Sequence, residues 1–206
     1  MKAVVFHAVG DIRVDEVPGA RARGGHRADR LDNSRRTEDA MFERLTTPEE
    51  IFSFKLGSAL KMEQQLVETL EELERHAHRD DIKKALTHHR EETRQHAANI
   101  EKCFQLLGED VDDSPCPVVV AMEKEGKATL KKTDDSLSDA VVLVAATESE
   151  HHEIAVYESL ITNARARGAA EVAELLERNL EQEKRALDVA RSAMNEIATQ
   201  GIAVAA

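Results

Sequence analysis

The chain has 206 residues, of which 41% are hydrophobic, 33% charged and only 3% aromatic, with 9 Gly and 4 Pro. That length allows one sizeable core, and the shortage of aromatic and turn residues argues for helices and against a sheet-built domain. A net charge of −12 argues against nucleic acid or an anionic membrane surface as partner, since both are bound largely through Lys and Arg.

No stretch approaches eighteen apolar residues and the first residues lack the apolar segment of a secretory signal, so a soluble, cytoplasmic protein is expected. The two cysteines, Cys103 in a helix and Cys116 in a loop, form neither a disulfide framework nor a thiolate metal site and are read as reduced.

Residues 1–18, "MKAVVFHAVGDIRVDEVP", alternate like two short strands around Gly10-Asp11, a hairpin signal. They resemble the opening of medium-chain zinc alcohol dehydrogenases. Nothing downstream offers that family's metal-binding segment or a glycine-rich dinucleotide turn. Residues 19–36 are rich in Arg and Gly without hydrophobic periodicity and read as a disordered linker. Residues 1–36 hold 8 Lys/Arg and 5 Asp/Glu, a net of +3, which leaves −15 on the remaining 170. Residues 1–40 are therefore read as a remnant or disordered tail, with a basic interaction arm as the alternative, attached to an acidic domain over 46–198.

From Thr46 the signals become helical. "TPEE" at 47–50 supplies an N-cap threonine, a proline at the first helical position and a glutamate to close a capping box. The first helix is expected over 48–78, with an apolar stripe through Phe52, Leu56, Leu60, Leu66 or Val67, Leu70 and Leu73. A second, over 80–107, carries Ile82, Leu86, Ile100, Cys103, Phe104 and Leu107 and stops at Gly108. "DVDDSPCP" is a loop, 118–132 a short connecting helix, and 136–167 and 169–198 are the last two long helices. The fourth long helix turns Val172, Leu176, Leu180, Leu187, Ala190, Met194 and Ile197 to one side, and 199–206 is read as a C-terminal tail. The fold class is all-α, a ferritin-like four-helix bundle with a short extra connecting helix.

Several polar residues break these stripes. Glu63 lies one heptad from both Leu56 and Leu70, and Glu183 one heptad from Leu176 and Ala190. His89 and His96 fall one and two heptads after Ile82, with Glu92 between them. On the third long helix Leu143, Ala146, Glu150, Glu153, Tyr157 and Leu160 follow one another by three or four residues and share a face, while Glu148 and Glu158 fall off it and His151 and His152 flank it. Burying four or five ionised carboxylates would overwhelm a stability of about 5–15 kcal/mol unless cations balance them. Two divalent ions would balance about four charges, and oxygen ligands with an imidazole suit iron or manganese.

The segments "TPEEIFSFKLGSALKMEQQLVETL", "HREETRQHAANIEKCFQLLGED", "EHHEIAVYESL" and "LLERNLEQEKRA" resemble the YciE/YciF-like family of bacterial stress proteins, within the ferritin-like and rubrerythrin-like superfamily. The resemblance implies a usually dimeric bundle with a di-iron carboxylate centre. It implies metal ligands Glu63, Glu92 with His96, Glu150 with Glu153, and Glu183. Leu187 stands where a further ligand would complete the second ion, which leaves His89 or His151 as substitutes, or a mononuclear or vestigial site. The leading expectation is a stress protein whose iron or manganese meets peroxide or oxygen. The alternative is a non-enzymatic homodimeric bundle whose polar core sets pairing register.

Overall fold

Thr47 begins the first helix as its side chain dictates. In the computed structural model, which describes residues 2–8, 11–16, 44–112 and 114–205, the Thr47 hydroxyl accepts from the Glu50 amide at 3.1 Å and the Glu50 carboxylate accepts from the Thr47 amide at 3.1 Å. This closed capping box satisfies otherwise orphaned donors and starts α1, Pro48–His76. The other helices are α2 (Asp80–Leu107), α3 (Pro117–Lys132), α4 (Ser138–Ala166, preceded by a 3-10 turn at Asp135–Leu137) and α5 (Ala170–Ala205).

Gly108 and Gly168 end α2 and α4 in the left-handed conformation, at φ of 70° and 73°. Amide bonds from Glu109 to the Phe104 carbonyl and from Ala169 to the Ala164 carbonyl, both at 3.0 Å, close those ends. α2 has no side-chain cap of its own. Asp139 of α4 accepts from the His78 amide at 2.6 Å and the Arg79 amide at 3.2 Å instead, which joins the start of α2 to the start of α4.

Four of the helices close a ring in which α1 packs on α2 and α4, and α5 on α2 and α4. All neighbours are antiparallel. Ser53 near the start of α1 donates to Glu109 just past the end of α2 at 2.6 Å, and Arg79 at the start of α2 pairs with Glu196 late in α5 at 2.8 Å. α3 lies over α1 and α4 and returns the chain along the bundle, covering roughly 24 Å for its length. The Asp112 side chain, in the loop before α3, sits where a Cβ on Gly57 would be 2.5 Å from its Oδ1, so the helix needs glycine there.

The core divides into two apolar clusters. One holds Phe52, Leu56, Leu60, Ile100, Phe104, Leu160 and Leu176, the other Leu70, Leu73, Ile82, Leu86, Val142 and Leu143. Each fully buried leucine or phenylalanine contributes about 1.5–3 kcal/mol. Between the clusters runs a polar layer.

Two expectations change. α5 does not stop at 198 but continues to Ala205, so 199–205, expected as tail, are helix. Gly201 is the one breaker there and costs only about 1 kcal/mol, while the flanking residues are tolerant of helix. α1 stops at His76, and Leu66, not Val67, takes the core position.

The chain divides into two units, Met1–Glu43 and Arg44–Ala206. In the first, Lys2–Ala8 pairs antiparallel with Asp11–Glu16, with an irregularity between Phe6 and Ala8. Gly10 of the expected turn and the linker expected at 19–36 lie outside the described residues.

Candidate metal centre

Each long helix of the ring places acid or imidazole in the layer between the two apolar clusters. α1 supplies Glu63, α2 supplies His89 and His96, α4 supplies Glu150 and Glu153, and α5 supplies Glu183. The reason is periodic. Ile82, His89, His96 and Cys103 recur every seven residues and all are buried, so α2 turns one continuous stripe inward and two of its members are imidazoles. Glu63, His96 and Glu183 are fully buried, and His89, the most exposed of the six, is 6% exposed.

Two sets of three ligand-type atoms converge, Glu63 with His96 and Glu183, and His89 with Glu153 and Glu183, each within 4.8 Å of one another. Glu183 belongs to both. Its Oε1 lies 2.7 Å from His96 Nδ1, and its Oε2 3.3 Å from His89 Nε2. His89 Nε2 is also 3.1 Å from Glu150 Oε1, and His96 Nδ1 is 3.5 Å from Glu63 Oε2.

Proximity here is not hydrogen bonding. His96 Nδ1, both oxygens of Glu183, and the Oε2 atoms of Glu63, Glu150 and Glu153 are buried without a hydrogen-bond partner. Buried polar atoms are nearly always paired in native proteins, so six orphans in one layer require an explanation. Donors and acceptors that lie 2.7–3.5 Å apart and miss the line of a hydrogen bond gather instead into the two sets that share Glu183.

The outer groups are tied. Tyr157, the chain's one tyrosine, donates its hydroxyl to Glu63 Oε1 and accepts from Asn179 Nδ2 at 3.0 Å. Asn99 donates to Asn179 Oδ1 at 2.7 Å. Gln182 bridges His96 Nε2, at 3.1 Å, to Glu92 Oε1, at 2.8 Å.

The charges respond to this burial. Desolvation pushes the Glu63 carboxyl up, and Glu150 up to about 7. Glu153 is raised well above the carboxylate range by burial and by the charges of Glu183, Glu150 and Glu63. Burial also acts to raise Glu183, but contact with His89 and His96 outweighs it and holds that carboxyl below its ordinary value. The imidazoles go the other way from their desolvation, because carboxylates outweigh it: His89 is raised well above its usual value, and His96 to about 10. With no other cation, protons balance the layer.

Of the six residues expected from the sequence, five come together: Glu63, His96, Glu150, Glu153 and Glu183. Glu92 does not join them. It is half-buried at the rim, and the inward position beside it on α2 is held by Thr93, whose hydroxyl donates to the His89 carbonyl at 2.9 Å. Position 92 is rotated from the His89–His96 stripe by about 40–60° at the helical period, to the side away from Thr93. His89 takes the inward place instead. Leu187 is buried, and His151 is exposed, with its Nε2 3.0 Å from Arg191. Glu148 and Glu158 are exposed, Glu158 facing Lys184 at 3.5 Å. Sequence reasoning missed Asn179 and Gln182, although Asn179 falls three residues after Leu176 and four before Glu183, on their stripe.

The family model described as "Domain of unknown function (DUF892)" matches residues 47–204. It stops short of residues 1–18 and lends no support to their alcohol dehydrogenase resemblance. Protein YciF of Escherichia coli (strain K12) is 29% identical over 145 residues, 68% of this chain and 86% of that protein. Among solved structures, the E. coli stress protein YciF has a TM-score of 0.71 at 27% identity, over 75% of this chain and 99% of that one. YcfI from Rhodopseudomonas palustris has a TM-score of 0.70 at 29% identity, over 72% and 96%.

Proposed function

Since the chain belongs to the DUF892 family, we propose that it is a stress protein whose bundle holds a carboxylate-bridged pair of iron or manganese ions that meets peroxide or oxygen. The likeness to the E. coli stress protein YciF supports the stress role. The single observation behind the metal is the set of six orphaned buried atoms on four helices. Glu63, His96 and Glu183 would hold one ion, and His89, Glu153 and Glu183 the other, with Glu150 beside His89.

This set fits the pair chemically. Four carboxylates balance two divalent ions, and hard oxygen donors with one imidazole per ion suit iron or manganese over thiolate-seeking metals. Ferritin-like carboxylate bundles place glutamates and histidines from four helices in the same way, though they draw on Glu-x-x-His pairs. Here two histidines one heptad apart on α2 replace those pairs, so the ligand missing at Leu187 is made up by His89 on another helix.

Such ions would supply one-electron changes to a bound oxidant. The chain's own groups bind and orient. Glu183 holds the two halves together, Tyr157 fixes the Glu63 carboxylate from behind, and the burial of the layer keeps bulk water from it.

The test is metal analysis of protein purified without chelator, beside Glu183→Gln. The parent is expected to carry close to two ions per chain and the variant none, with peroxide consumption lost alongside. A parent with far less than one ion per chain would end the metal reading. That outcome would favour a second one, which the proton-balanced charges also support: a non-enzymatic homodimeric bundle in which the layer sets helix register.

A further inference from the structure

Glu92 lies outside both sets of converging atoms, yet it touches the outer side of the His89 ring and reaches that of His96 through Gln182. Its Oε2 is 3.5 Å from His89 Nδ1, and its Oε1 accepts from Gln182 Nε2 at 2.8 Å, while Gln182 Oε1 faces His96 Nε2 at 3.1 Å. We infer that Glu92 is the positioning residue for both histidines, orienting His89 directly and His96 through the Gln182 amide. The inference rests on the metal reading above and gives the half-buried carboxylate on α2 a role other than ligand.

The donor and acceptor logic runs in one direction. An ionised carboxylate only accepts, so the Gln182 NH2 must face Glu92 and its oxygen must face His96. That oxygen requires an Nε2–H, so in the ion-loaded protein the neutral His96 ring turns its Nδ1 lone pair toward the ion that Glu63 and Glu183 would hold. The same carboxylate requires an Nδ1–H on His89, so the neutral ring turns its Nε2 lone pair toward the ion that Glu153 and Glu183 would hold. One acidic side chain therefore selects opposite tautomers on two rings seven residues apart, and each selection turns a lone pair inward. Carboxylate and carbonyl partners of metal-bound imidazoles commonly set ring orientation and basicity in this manner, and losing one costs about 10–100-fold in metal affinity.

Exchanging the two side chains reverses the polarity of the bridge. In the double variant E92Q/Q182E the carboxylate moves to α5, where it accepts from His96, and the new amide on α2 donates to it while its oxygen accepts from His89. Every donor keeps an acceptor. Glu92→Gln alone leaves two amides facing each other with no carboxylate.

The experiment is titration of the full chain with Zn²⁺, chosen because it is diamagnetic, together with proton–nitrogen NMR of the imidazole rings in the zinc-loaded protein. The parent is expected to show two solvent-protected ring N–H signals, one Nδ1–H and one Nε2–H. Glu92→Gln is expected to weaken zinc binding about 10–100-fold and to lose at least one of the signals, since one amide oxygen cannot accept from both His89 and Gln182. Gln182→Leu should lose the Nε2–H signal alone, and E92Q/Q182E should recover parental affinity and both signals. Parental affinity with both signals intact in Glu92→Gln, or a double variant no better than that single one, overturns the positioning role while leaving the metal reading standing. A parent that binds no zinc overturns both.

Discussion

The two halves of the polar layer are built differently. Around Glu63 and His96 two of the three ligand-type groups are held from behind: Tyr157, itself held by Asn179, secures Glu63, and Gln182 secures His96, while Glu183 has no such tie. Around Glu153 and Glu150 the carboxylates are buried with free oxygens and draw their relief from His89 alone. The first half is tied by these bonds, whereas the second gathers carboxylates whose mutual repulsion protons relieve. Metal should therefore fill the Glu63 half first.

Glu183 is where the comparison breaks most violently, because it serves both halves. Glu183→Leu removes the one carboxylate held in its ionised form and strands two imidazoles that it keeps charged. Breaking a buried ion pair on one side costs about 3–5 kcal/mol. Urea unfolding of metal-free protein should show a loss of that size, and metal titration should show neither half occupied.

Changing pH acts on both halves at once. The carboxyls of Glu63, Glu150 and Glu153 are raised in the fold, so their stabilising protons are fully present below the unfolded value of 4.5 and are lost as pH rises, for Glu150 through about 7. The raised imidazoles contribute fully below 6.5 and lose that contribution as pH rises, for His96 through about 10. Glu183 alone has the opposite sign: its contribution is present above 4.5 and is lost in acid. Metal-free protein in chelator should accordingly melt lower at each step from pH 6 to pH 10. Saturating Mn²⁺ should reverse the slope near neutrality, since the metal displaces those protons. A flat melting profile in chelator would contradict the charge pattern.

The two halves should also answer a neutral substitution with opposite signs. Glu153→Gln removes a carboxyl repelled by Glu183, Glu150 and Glu63, and is expected to leave metal-free stability equal or up to about 1 kcal/mol higher while halving the metal content. Glu63→Gln sets an amide donor against His96 Nδ1 and disturbs the tie to Tyr157, so it should lower stability by about 1–2 kcal/mol. Calorimetry in chelator distinguishes the two.

The helices were legible because caps, glycines and stripes are local signals: Thr47-Pro48, Gly108 and Gly168 mark ends that sequence alone can place. The end of α5 was not, since 199–205 contains no strong breaker and only the context of a preceding long helix carries it on. Four glutamates were found by the heptad argument because each had leucine or alanine neighbours on its own stripe. Glu92 was expected among the converging groups and lies half-buried at the rim, because a rotation of about 40–60° is small against the width of a helix face and its chemistry resembles a ligand's. The stripe Ile82, His89, His96, Cys103 held the correction. Asn179 and Gln182 were passed over as surface amides, since an amide breaks no charge rule and nothing local says that a histidine or a tyrosine waits on another helix.

The smallest effect tests how far the tied half depends on its ties. Tyr157→Phe keeps the ring that packs among Leu160, Ile161 and their neighbours and removes only the hydroxyl. Glu63 Oε1 then loses its donor and Asn179 Nδ2 loses an acceptor, both in a fully buried setting. Asn179 retains a donor from Asn99 and a longer contact of 3.4 Å to the His96 carbonyl, which limits the loss on that side. Leaving a buried group unpaired costs about 1–3 kcal/mol, and the remaining bonds of Asn179 place the expected value near the lower end. With metal bound, Glu63 is held by the ion as well, so the same substitution should cost less in saturating Mn²⁺ than in chelator. An equal loss in both conditions would mean that the hydroxyl holds Asn179 and the helix pair α4 and α5, and not the Glu63 carboxylate.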